Sequence, residues 1–306
     1  MSERTPILVT GAHRSGTTWV GKMLAANPRV AYLSEPLNVW HRPGVLGAPV
    51  EKWYTYLCAE NEAAYLPAFR DTLAFRYGLW REVRALRSRK DVLRMGRDAA
   101  IFLRGRLFRQ RPLLKDPFAV FSMPWFAARL GCRVVVTVRH PAAFASSLKR
   151  LNWPFDFRDL LGQPLLMRDW LEEDRAAMEA MPADDLIGQA ALLWRMIYRV
   201  VARTRDLLPP LIIVRHEDLS RDPLPGYRAL YHSLGLDFTP QVERTILNAS
   251  SAENPKELPQ KQVHAVKLDS RANLDNWKKR LSADEIERVR QVCGEVAALF
   301  YSDSEW

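Results

Sequence analysis

The feature that most constrains the fold is a glycine-containing turn near the start of the chain, between an apolar run and a helical pattern. Ile7–Thr10 is largely apolar and lies between Pro6 and Gly11, which is typical of a buried parallel strand. From Gly16 onward the apolar residues recur at helical spacing. A strand, a tight turn and a helix N-terminus in this order direct several backbone N–H groups at one anion. The pattern therefore predicts a phosphate-binding loop.

The loop reads GAHRSGTTW from Gly11 to Trp19, and its two glycines are spaced as in a P-loop. A P-loop nucleotidase continues with a lysine that reaches the β- and γ-phosphates, and then with a hydroxyl residue that holds Mg²⁺. Thr17 occupies the position of that lysine. The sequence therefore argues against a triphosphate ligand and favours a shorter 5′-phosphate group. The loop residues predicted to bind it are Arg14, Ser15, Gly16, Thr17 and Thr18.

The rest of the chain predicts an α/β fold in which a P-loop-like parallel sheet is flanked by helices. Further apolar runs predict four strands: Val30–Leu33, Pro112–Lys115, Arg133–Val138 and Leu211–Val214. Most of these runs are followed by a helical pattern, and such alternation is typical of parallel sheets. Two stretches, at about 45–110 and 152–195, interrupt the alternation. We expect them to be helical insertions in a single domain of residues 1–306.

Three of the helices have clear sequence boundaries. They are expected at Val120–Leu130, at Ala142–Leu151 directly after Pro141, and at Asp284–Leu299. Ser282 precedes the last of these, and Glu285 stands three residues further on. This spacing predicts a capping box at the start of that helix.

A second anion site is predicted at the end of the most apolar strand. Arg139 follows this strand directly, and Ser147 lies eight residues later on the predicted helix. Where a P-loop ATPase would carry a metal-binding aspartate, this chain carries a guanidinium. Ligands bind at the carboxyl edge of such sheets. Arg139 and Ser147 therefore suit a second, separate phosphate.

Composition places the chain among ordinary globular proteins. Hydrophobic residues make up 48% and charged residues 26%, which excludes disordered, collagenous and disulfide-rich classes. No run approaches the roughly 18 apolar residues of a membrane span, and the first residues do not read as a signal peptide. The three cysteines are far apart and lack metal-ligand spacing. We expect a soluble, cytoplasmic protein with reduced thiols.

These motifs together resemble those of the sulfotransferases that depend on 3′-phosphoadenosine-5′-phosphosulfate (PAPS). The resemblance is of the bacterial type and is closer to carbohydrate sulfotransferases than to the cytosolic enzymes of phenols and steroids. It extends over most of the chain, through SGTTW, the pair Arg139 and Ser147, Lys115 in LLKDP, VRHEDLSRDP, and Asn276-Trp277-Lys278 before LSADEIERV. It implies transfer of a sulfuryl group to an acceptor hydroxyl or amine on a carbohydrate, glycolipid or natural product.

The resemblance also implies roles for individual residues. The first motif would hold the 5′-phosphosulfate, and Arg139 with Ser147 would hold the 3′-phosphate. Trp19 would stack on adenine, and Arg271 would lie on a basic loop over the 3′-phosphate. The product would be 3′-phosphoadenosine-5′-phosphate (PAP), and no metal is implied.

Three positions depart from the cytosolic phenol and steroid enzymes. Arg14 replaces their lysine, as in many carbohydrate sulfotransferases. Pro117 stands where they carry a general-base histidine, and proline cannot accept a proton. His216 replaces the usual tyrosine near adenine. The first two departures favour a likeness to the carbohydrate sulfotransferases. Because Pro117 cannot accept a proton, the general base must be another residue.

Glu35 is the residue predicted to act as the base. It follows the second strand at the same sheet edge as the phosphate loop, and its Glu-Pro dipeptide resembles that of carbohydrate sulfotransferases. The alternative is that Glu35 only pairs with a structural arginine. Asp116 and His41 are weaker candidates. Lys115 and Arg14 are predicted to stabilise the charge that develops on the leaving phosphate oxygen.

Two other functional classes stay open on the sequence. A small-molecule or nucleoside kinase fits the loop spacing but lacks the P-loop lysine and the strand-end aspartate. A non-enzymatic nucleic-acid-binding protein fits the basic composition, but the chain carries no recognised DNA or RNA motif, so no nucleic-acid partner is expected. Nothing in the sequence indicates the oligomeric state.

Residues 70–115 form a basic segment. It contains 14 Lys and Arg residues against four Asp and Glu, which accounts for the whole formal net charge of +10. Apolar residues at helical spacing alternate with its arginines, as in helices that lie on anionic lipid. We expect the segment to flank the acceptor entrance or to make a peripheral membrane contact. The alternative is that its apolar residues pack on the core and its arginines are simply solvated.

Overall fold

The computed structural model describes residues 4–207, 211–257 and 267–306, and a sheet of five parallel strands lies at its centre. The strands are β1 (Ile7–Gly11), β2 (Val30–Ser34), β3 (Arg111–Lys115), β4 (Arg133–Val138) and β5 (Ile212–Arg215). Their order across the sheet is β2-β3-β1-β4-β5. The four neighbouring pairs are all parallel, which confirms the predicted α/β fold.

Helices connect and cover the strands. The first six are α1 (Thr17–Leu24), α2 (Leu66–Leu73), α3 (Leu79–Ala85), α4 (Arg89–Leu107), α5 (Met123–Leu130) and α6 (Pro141–Leu151). Four more precede β5: α7 (Arg158–Leu161), α8 (Pro164–Leu166), α9 (Arg175–Glu179) and α10 (Leu186–Thr204). The others are α11 (His216–Arg221), α12 (Pro223–Leu234), α13 (Pro240–Ser250), α14 (Asn276–Arg280) and α15 (Ala283–Ala297). Short 3₁₀ turns lie at Glu62–Ala64, Pro117–Ser122, Glu172–Asp174 and Asp303–Glu305, and one π turn lies at Met167–Leu171.

The core lies on both faces of the sheet because successive side chains of a strand point to opposite faces. Leu8 of β1 belongs to a large cluster that includes residues of α5, α6 and α10. Ile7 and Val9 belong to a second cluster with residues of α1, α12 and α13. All five residues of β1 are buried, as expected for a central parallel strand.

The strand register brings the carboxyl ends of the strands to one edge. Ser34 pairs with Lys115 across β2 and β3, and Gly11 pairs with Thr137 across β1 and β4. The residues that follow these positions therefore lie along the same edge of the sheet. This edge holds the candidate site.

Two helix boundaries show how local chemistry sets the elements. The helix expected at Val120–Leu130 is a 3₁₀ turn followed by α5, whose first turn contains Pro124. Proline is tolerated there because the first N–H groups of a helix have no intrahelical partner. The capping box is confirmed: Ser282 Oγ accepts from the backbone of Glu285, whose side chain accepts from the backbone N–H of Ser282.

The first predicted insertion contains α2, α3 and α4, between β2 and β3. Arg42 links the last two of these helices, since it forms ion pairs with Glu82 of α3 and with Asp98 of α4. Within the described ranges, no helix is long and apolar enough to span a bilayer.

Candidate active site at the carboxyl edge of the sheet

The phosphate loop is closed by hydrogen bonds of Ser15. Its backbone N–H and its Oγ both donate to the carbonyl of Ala12, at 3.1 and 2.6 Å, and Oγ also lies 2.6 Å from Oγ1 of Thr137. Gly11 has φ 137°, and a Cβ at this position would lie 2.4 Å from the carbonyl oxygen of Thr137. Only glycine fits so close to the neighbouring strand. Ser15 is fully buried and shapes the loop, so its direct contact with a ligand stays a prediction.

The N-terminus of α1 is open at the end of this loop. Gly16 precedes the helix with φ 97°, and no side chain caps the first turn. The N–H groups of Thr17 and Thr18 therefore belong to an uncapped helix end, where the helix dipole attracts anions. A Cβ on Gly16 would lie 2.6 Å from Cδ2 of His216, so this glycine also lets the loop approach α11.

The structure brings together the two arginines and the serine that the sequence predicted. Arg14 Nε donates to Ser147 Oγ at 3.3 Å, and Arg139 Nη1 donates to the carbonyl of Arg14 at 3.1 Å. Burial, followed by the charges of Arg139 and Arg150, lowers the pKa of Arg14 to about 10. Burial also lowers the pKa of Arg139. Several cations are thus held close together and partly out of water, an arrangement that an anion would stabilise.

Helix α10 supports both anion-binding segments from behind. Trp194 Nε1 donates to the carbonyl of Arg139 at 2.8 Å. The Tyr198 hydroxyl donates to the carbonyl of Thr137 at 2.9 Å and accepts from the N–H of Ala12 at 3.3 Å. Both rings are fully buried. Sequence reasoning missed these residues, although a Trp and a Tyr four residues apart on an apolar helix face indicate polar tips that need partners.

Trp19 lies beside the residue that replaces the family's tyrosine. Its ring centroid is 5.7 Å from that of His216 and 5.4 Å from that of Tyr227, which meets it edge-on. Burial, aided by the charge of Arg139, lowers the pKa of His216 to about 3, so the imidazole is neutral at pH 7. His216 therefore offers the site an aromatic ring without added charge.

Glu35 and Lys115 form an ion pair at the same sheet edge. Lys115 Nζ contacts Glu35 Oε1, and the backbone N–H of Glu35 donates to the carbonyl of Lys115 at 2.7 Å. Asn38 Nδ2 donates to the other carboxylate oxygen at 2.8 Å. The Lys115 side chain is 1% exposed and that of Glu35 is 19% exposed. The predicted base and the predicted cation are therefore bonded partners.

Two of the predicted catalytic residues have a backbone conformation that is uncommon outside glycine. Arg14 has φ 67° and Glu35 has φ 50°. Such left-handed residues cost of order 1 kcal/mol and persist where surrounding contacts hold them. Here the hydrogen bonds from Arg139 to Arg14 and from Glu35 to Lys115 supply those contacts. Both residues are therefore held in these conformations by contacts within the candidate site.

Asp116 holds the turn that carries Glu35. Its Oδ2 accepts from the N–H of Leu37 at 2.5 Å, and its Oδ1 accepts from the N–H of Phe118 at 3.0 Å. The residue is 1% exposed, and burial raises its pKa to about 7. Both oxygens are thus used within the protein, which suits a positioning residue better than a base.

The raised pKa of Asp116 predicts a pH-dependent stability. Because its folded pKa of about 7 exceeds an unfolded value of about 3.9, the folded protein binds a proton that the unfolded chain releases. This contribution is complete below about pH 4 and is lost as the pH rises through about 7. Relative to Asp116→Asn, the wild-type free energy of unfolding should fall by up to about 4 kcal/mol over this range. Urea denaturation of both proteins at several pH values measures the difference, and a pH-independent difference would contradict the assignment.

His13 is a further residue at the site that the sequence analysis did not single out for a role. The N–H of His13 donates to the Tyr54 hydroxyl at 3.3 Å, and that hydroxyl lies 2.7 Å from His13 Nδ1. Burial, with Arg14 nearby, lowers the pKa of His13 to about 4. The imidazole is therefore neutral at pH 7, and its Nδ1 shares a hydrogen bond with the Tyr54 hydroxyl.

The remaining candidates lie further from this arrangement. His41 Nδ1 is 3.1 Å from the carbonyl of Asn38, and burial lowers the pKa of His41. Arg271 is exposed, and its Nε donates to the carbonyl of Arg221 at 2.7 Å. The basic loop near Arg271 includes residues 258–266, which lie outside the described residues. In the ranges that the structure describes, no three His, Cys, Asp or Glu residues are grouped to hold a metal ion.

Comparisons with known proteins identify the family of this chain. The model described as "Sulfotransferase family" matches residues 6–240, so the chain belongs to the sulfotransferase family. Carbohydrate sulfotransferase 5 of Homo sapiens is 28% identical over an alignment 341 positions long, which covers 95% of this chain and 76% of that protein. Carbohydrate sulfotransferase 6 of Homo sapiens is 27% identical and covers 99% of this chain and 83% of its own length.

Among solved structures, the sulfotransferase domain of the Synechococcus PCC 7002 olefin synthase aligns with 99% of this chain and 98% of its own. The identity is 16% and the TM-score is 0.49. The family model and the curated relatives carry the assignment: the protein is a sulfotransferase enzyme. This result removes the kinase and the non-enzymatic nucleic-acid-binding protein as descriptions of its function.

Proposed function

We propose that the protein transfers a sulfuryl group from PAPS to a hydroxyl group of a carbohydrate acceptor. The observation that carries the proposal is the Glu35–Lys115 ion pair at the sheet edge that also holds the open phosphate loop. The relatives named as carbohydrate sulfotransferases support the acceptor class. Transfer to glycolipids, natural products or amines would use the same site.

The residues present fit the two phosphate groups of the donor. The uncapped first turn of α1 suits the 5′-phosphosulfate, with Thr17, Thr18 and Arg14 as ligands. Arg139 and Ser147 suit the 3′-phosphate, and the buried Nε of Arg139 has no hydrogen-bond partner among the described residues. A buried guanidinium N–H without a partner is costly, and a bound phosphate oxygen would satisfy it. Trp19 would contact adenine.

Each residue of the site then has its own role in the transfer. PAPS supplies a sulfuryl group bonded to a good leaving phosphate. As the acceptor oxygen bonds to sulfur, its proton passes to the Glu35 carboxylate, and the electron pair of the broken S–O bond stays on the 5′-phosphate oxygen. Lys115 is the ion-pair partner of Glu35 before the transfer, and Lys115 and Arg14 stabilise the charge on the leaving oxygen. Asp116 and Asn38 orient the Glu35 turn.

An aromatic pair with one exposed ring, close in sequence to the base, suits a sugar acceptor. Trp40 is 80% exposed and meets Trp53 edge-on at 5.2 Å between ring centroids. Trp53 packs in turn on Phe118, whose N–H is bonded to Asp116. The exposed indole of Trp40 lies five residues after Glu35 in the sequence and offers an apolar face to a sugar ring. This placement supports a carbohydrate acceptor.

Replacing Arg139 tests the donor site. Arg139→Ala removes a charge-assisted hydrogen bond worth roughly 1.5–3 kcal/mol, so affinity for PAP should fall roughly 10- to 150-fold. Ser147→Ala should have a smaller effect because it removes a neutral donor. Isothermal titration with PAP measures both, and Arg244→Ala on the exposed surface of α13 serves as a control. An unchanged dissociation constant in Arg139→Ala would reject the assigned 3′-phosphate site.

A further inference from the structure

Helix α4 carries an apolar stripe on its solvent-facing side. We define the outer stripe of α4 as Val92, Leu93, Gly96, Ala100, Leu103 and Leu107, all of which are exposed. From Leu93 their spacing is three, four, three and four residues, so they lie along one face of the helix. Leu93 is 77% exposed and Leu107 is 66% exposed. A Cβ built on Gly96 would meet no atom within 4 Å. The stripe is therefore open to solvent.

The opposite face of α4 already packs on the protein. Phe102 is 2% exposed and meets the ring of Tyr77 at 5.2 Å and that of Phe75 at 6.2 Å. A Cβ on Gly105 would lie 2.6 Å from the Phe75 ring, which shows how closely this face packs. Asp98 points to Arg42, with an ion pair at 3.4 Å. Packing on the core therefore explains the inner face of α4 and leaves the outer stripe without an intramolecular role.

The flanks of the outer stripe are basic. Exposed positive residues border it on both sides: Lys90, Arg94, Arg97, Arg104 and Arg106. Each of the two acids of α4 pairs with one border residue, Asp91 with Arg94 at 3.7 Å and Asp98 with Arg97 at 2.9 Å, and Asp98 also pairs with Arg42. Five basic residues against two acids leave the border with net positive charge. Phe108, directly after the helix, is 70% exposed and continues the apolar surface. The outer surface of α4 thus combines a leucine stripe with a border of net positive charge.

We propose that the outer stripe of α4 docks the enzyme on the surface of an anionic lipid bilayer. Apolar side chains would enter the boundary between headgroups and acyl chains, while the bordering arginines contact anionic headgroups. A second copy of this chain is a poorer occupant, because symmetric pairing would place one arginine-lined border against another. Anionic headgroups match the positive border, and acyl chains match the exposed leucines.

Vesicle sedimentation tests the docking directly. The full chain is mixed with vesicles of phosphatidylcholine alone, or of phosphatidylcholine with about one third phosphatidylglycerol, at low and at high salt. We expect binding to the anionic vesicles at least about tenfold tighter than to the neutral ones, and release at high salt because screening weakens the headgroup contacts. The variant Leu93→Ser/Leu103→Ser/Leu107→Ser should lose roughly tenfold or more of this binding. Its matched control is Leu247→Ser/Leu299→Ser, which changes exposed leucines elsewhere.

Each other result of the vesicle experiment leads to a different conclusion about the outer stripe of α4. All the changed leucines are exposed, so the variants should keep the wild-type thermal unfolding temperature and PAP affinity, which separates this test from that of the proposed reaction. Equal affinity for neutral and anionic vesicles, or none for either, would overturn the proposal. So would vesicle binding that survives in the triple variant, since it would then rest on charge alone. A concentration-dependent dimer in sedimentation velocity, abolished by the triple variant in the absence of vesicle binding, would assign the stripe to a second copy.

Discussion

Glu35→Gln should lower the turnover number by roughly 10²- to 10⁴-fold, the range for loss of a positioned general base, while PAP affinity stays near that of the wild type. The amide cannot accept a proton, but it keeps the shape of the side chain and can still accept from Asn38. Lys115 is 1% exposed and loses its anionic partner in this variant, so some loss of stability is expected as well. Single-turnover kinetics with saturating donor separate the chemical step from this loss.

The control for this prediction is a carboxylate that is also paired but lies on the surface. Glu60 pairs with Arg168 at 2.5 Å, and both side chains are more than half exposed. Glu60→Gln should therefore keep wild-type turnover. If Glu35→Gln turns over at a near-normal rate, the base lies elsewhere, and Asp116 would be the next residue to test.

Lys115→Met should lower turnover by roughly 10²- to 10³-fold, as expected when one preorganised charge at a reacting oxygen is lost. Methionine keeps most of the length of the buried side chain without its charge. Lys149→Met is the matched control because Lys149 also pairs with a glutamate, Glu285, at 2.6 Å, but on the surface between α6 and α15.

A double variant tests whether Glu35 and Lys115 act together. If the ion pair works as one unit, Glu35→Gln/Lys115→Met should lose about as much turnover as the more impaired single variant. Losses that simply multiply would contradict the pairing and would indicate independent roles. Turnover of Lys115→Met within threefold of the wild type would remove this lysine from the reaction.

Much of the fold follows from local sequence patterns. The bounds of β4 agree with the predicted Arg133–Val138, and β1 is one residue longer than Ile7–Thr10. These strands are largely apolar because helices cover both faces of the sheet, which makes them easy to recognise. The start of α15 was predictable because a capping box is defined by the spacing of Ser282 and Glu285 alone.

The contacts within the site depend on how distant segments meet. Glu35 and Lys115 are 80 positions apart, and only the pairing of β2 with β3 places them side by side. Tyr198 reaches the phosphate loop across 186 positions. Which face of α4 is buried depends on Phe75 and Tyr77, which belong to another part of the chain. The sequence pattern predicts a helix there but does not say which of its two apolar faces packs inward.

The most direct test of the central claim is mass spectrometry of acceptors incubated with the protein and PAPS. The account predicts that a panel of neutral and N-acetylated oligosaccharides contains at least one member that gains the mass of a single SO₃ group on a hydroxyl. PAP should form in equal amount, and Glu35→Gln should lower the rate at which both products form by roughly 10²- to 10⁴-fold under the same conditions. Phosphoryl transfer from ATP to an acceptor hydroxyl in the presence of Mg²⁺, with no transfer from PAPS, would contradict this assignment, as would PAPS turnover that Glu35→Gln leaves unchanged.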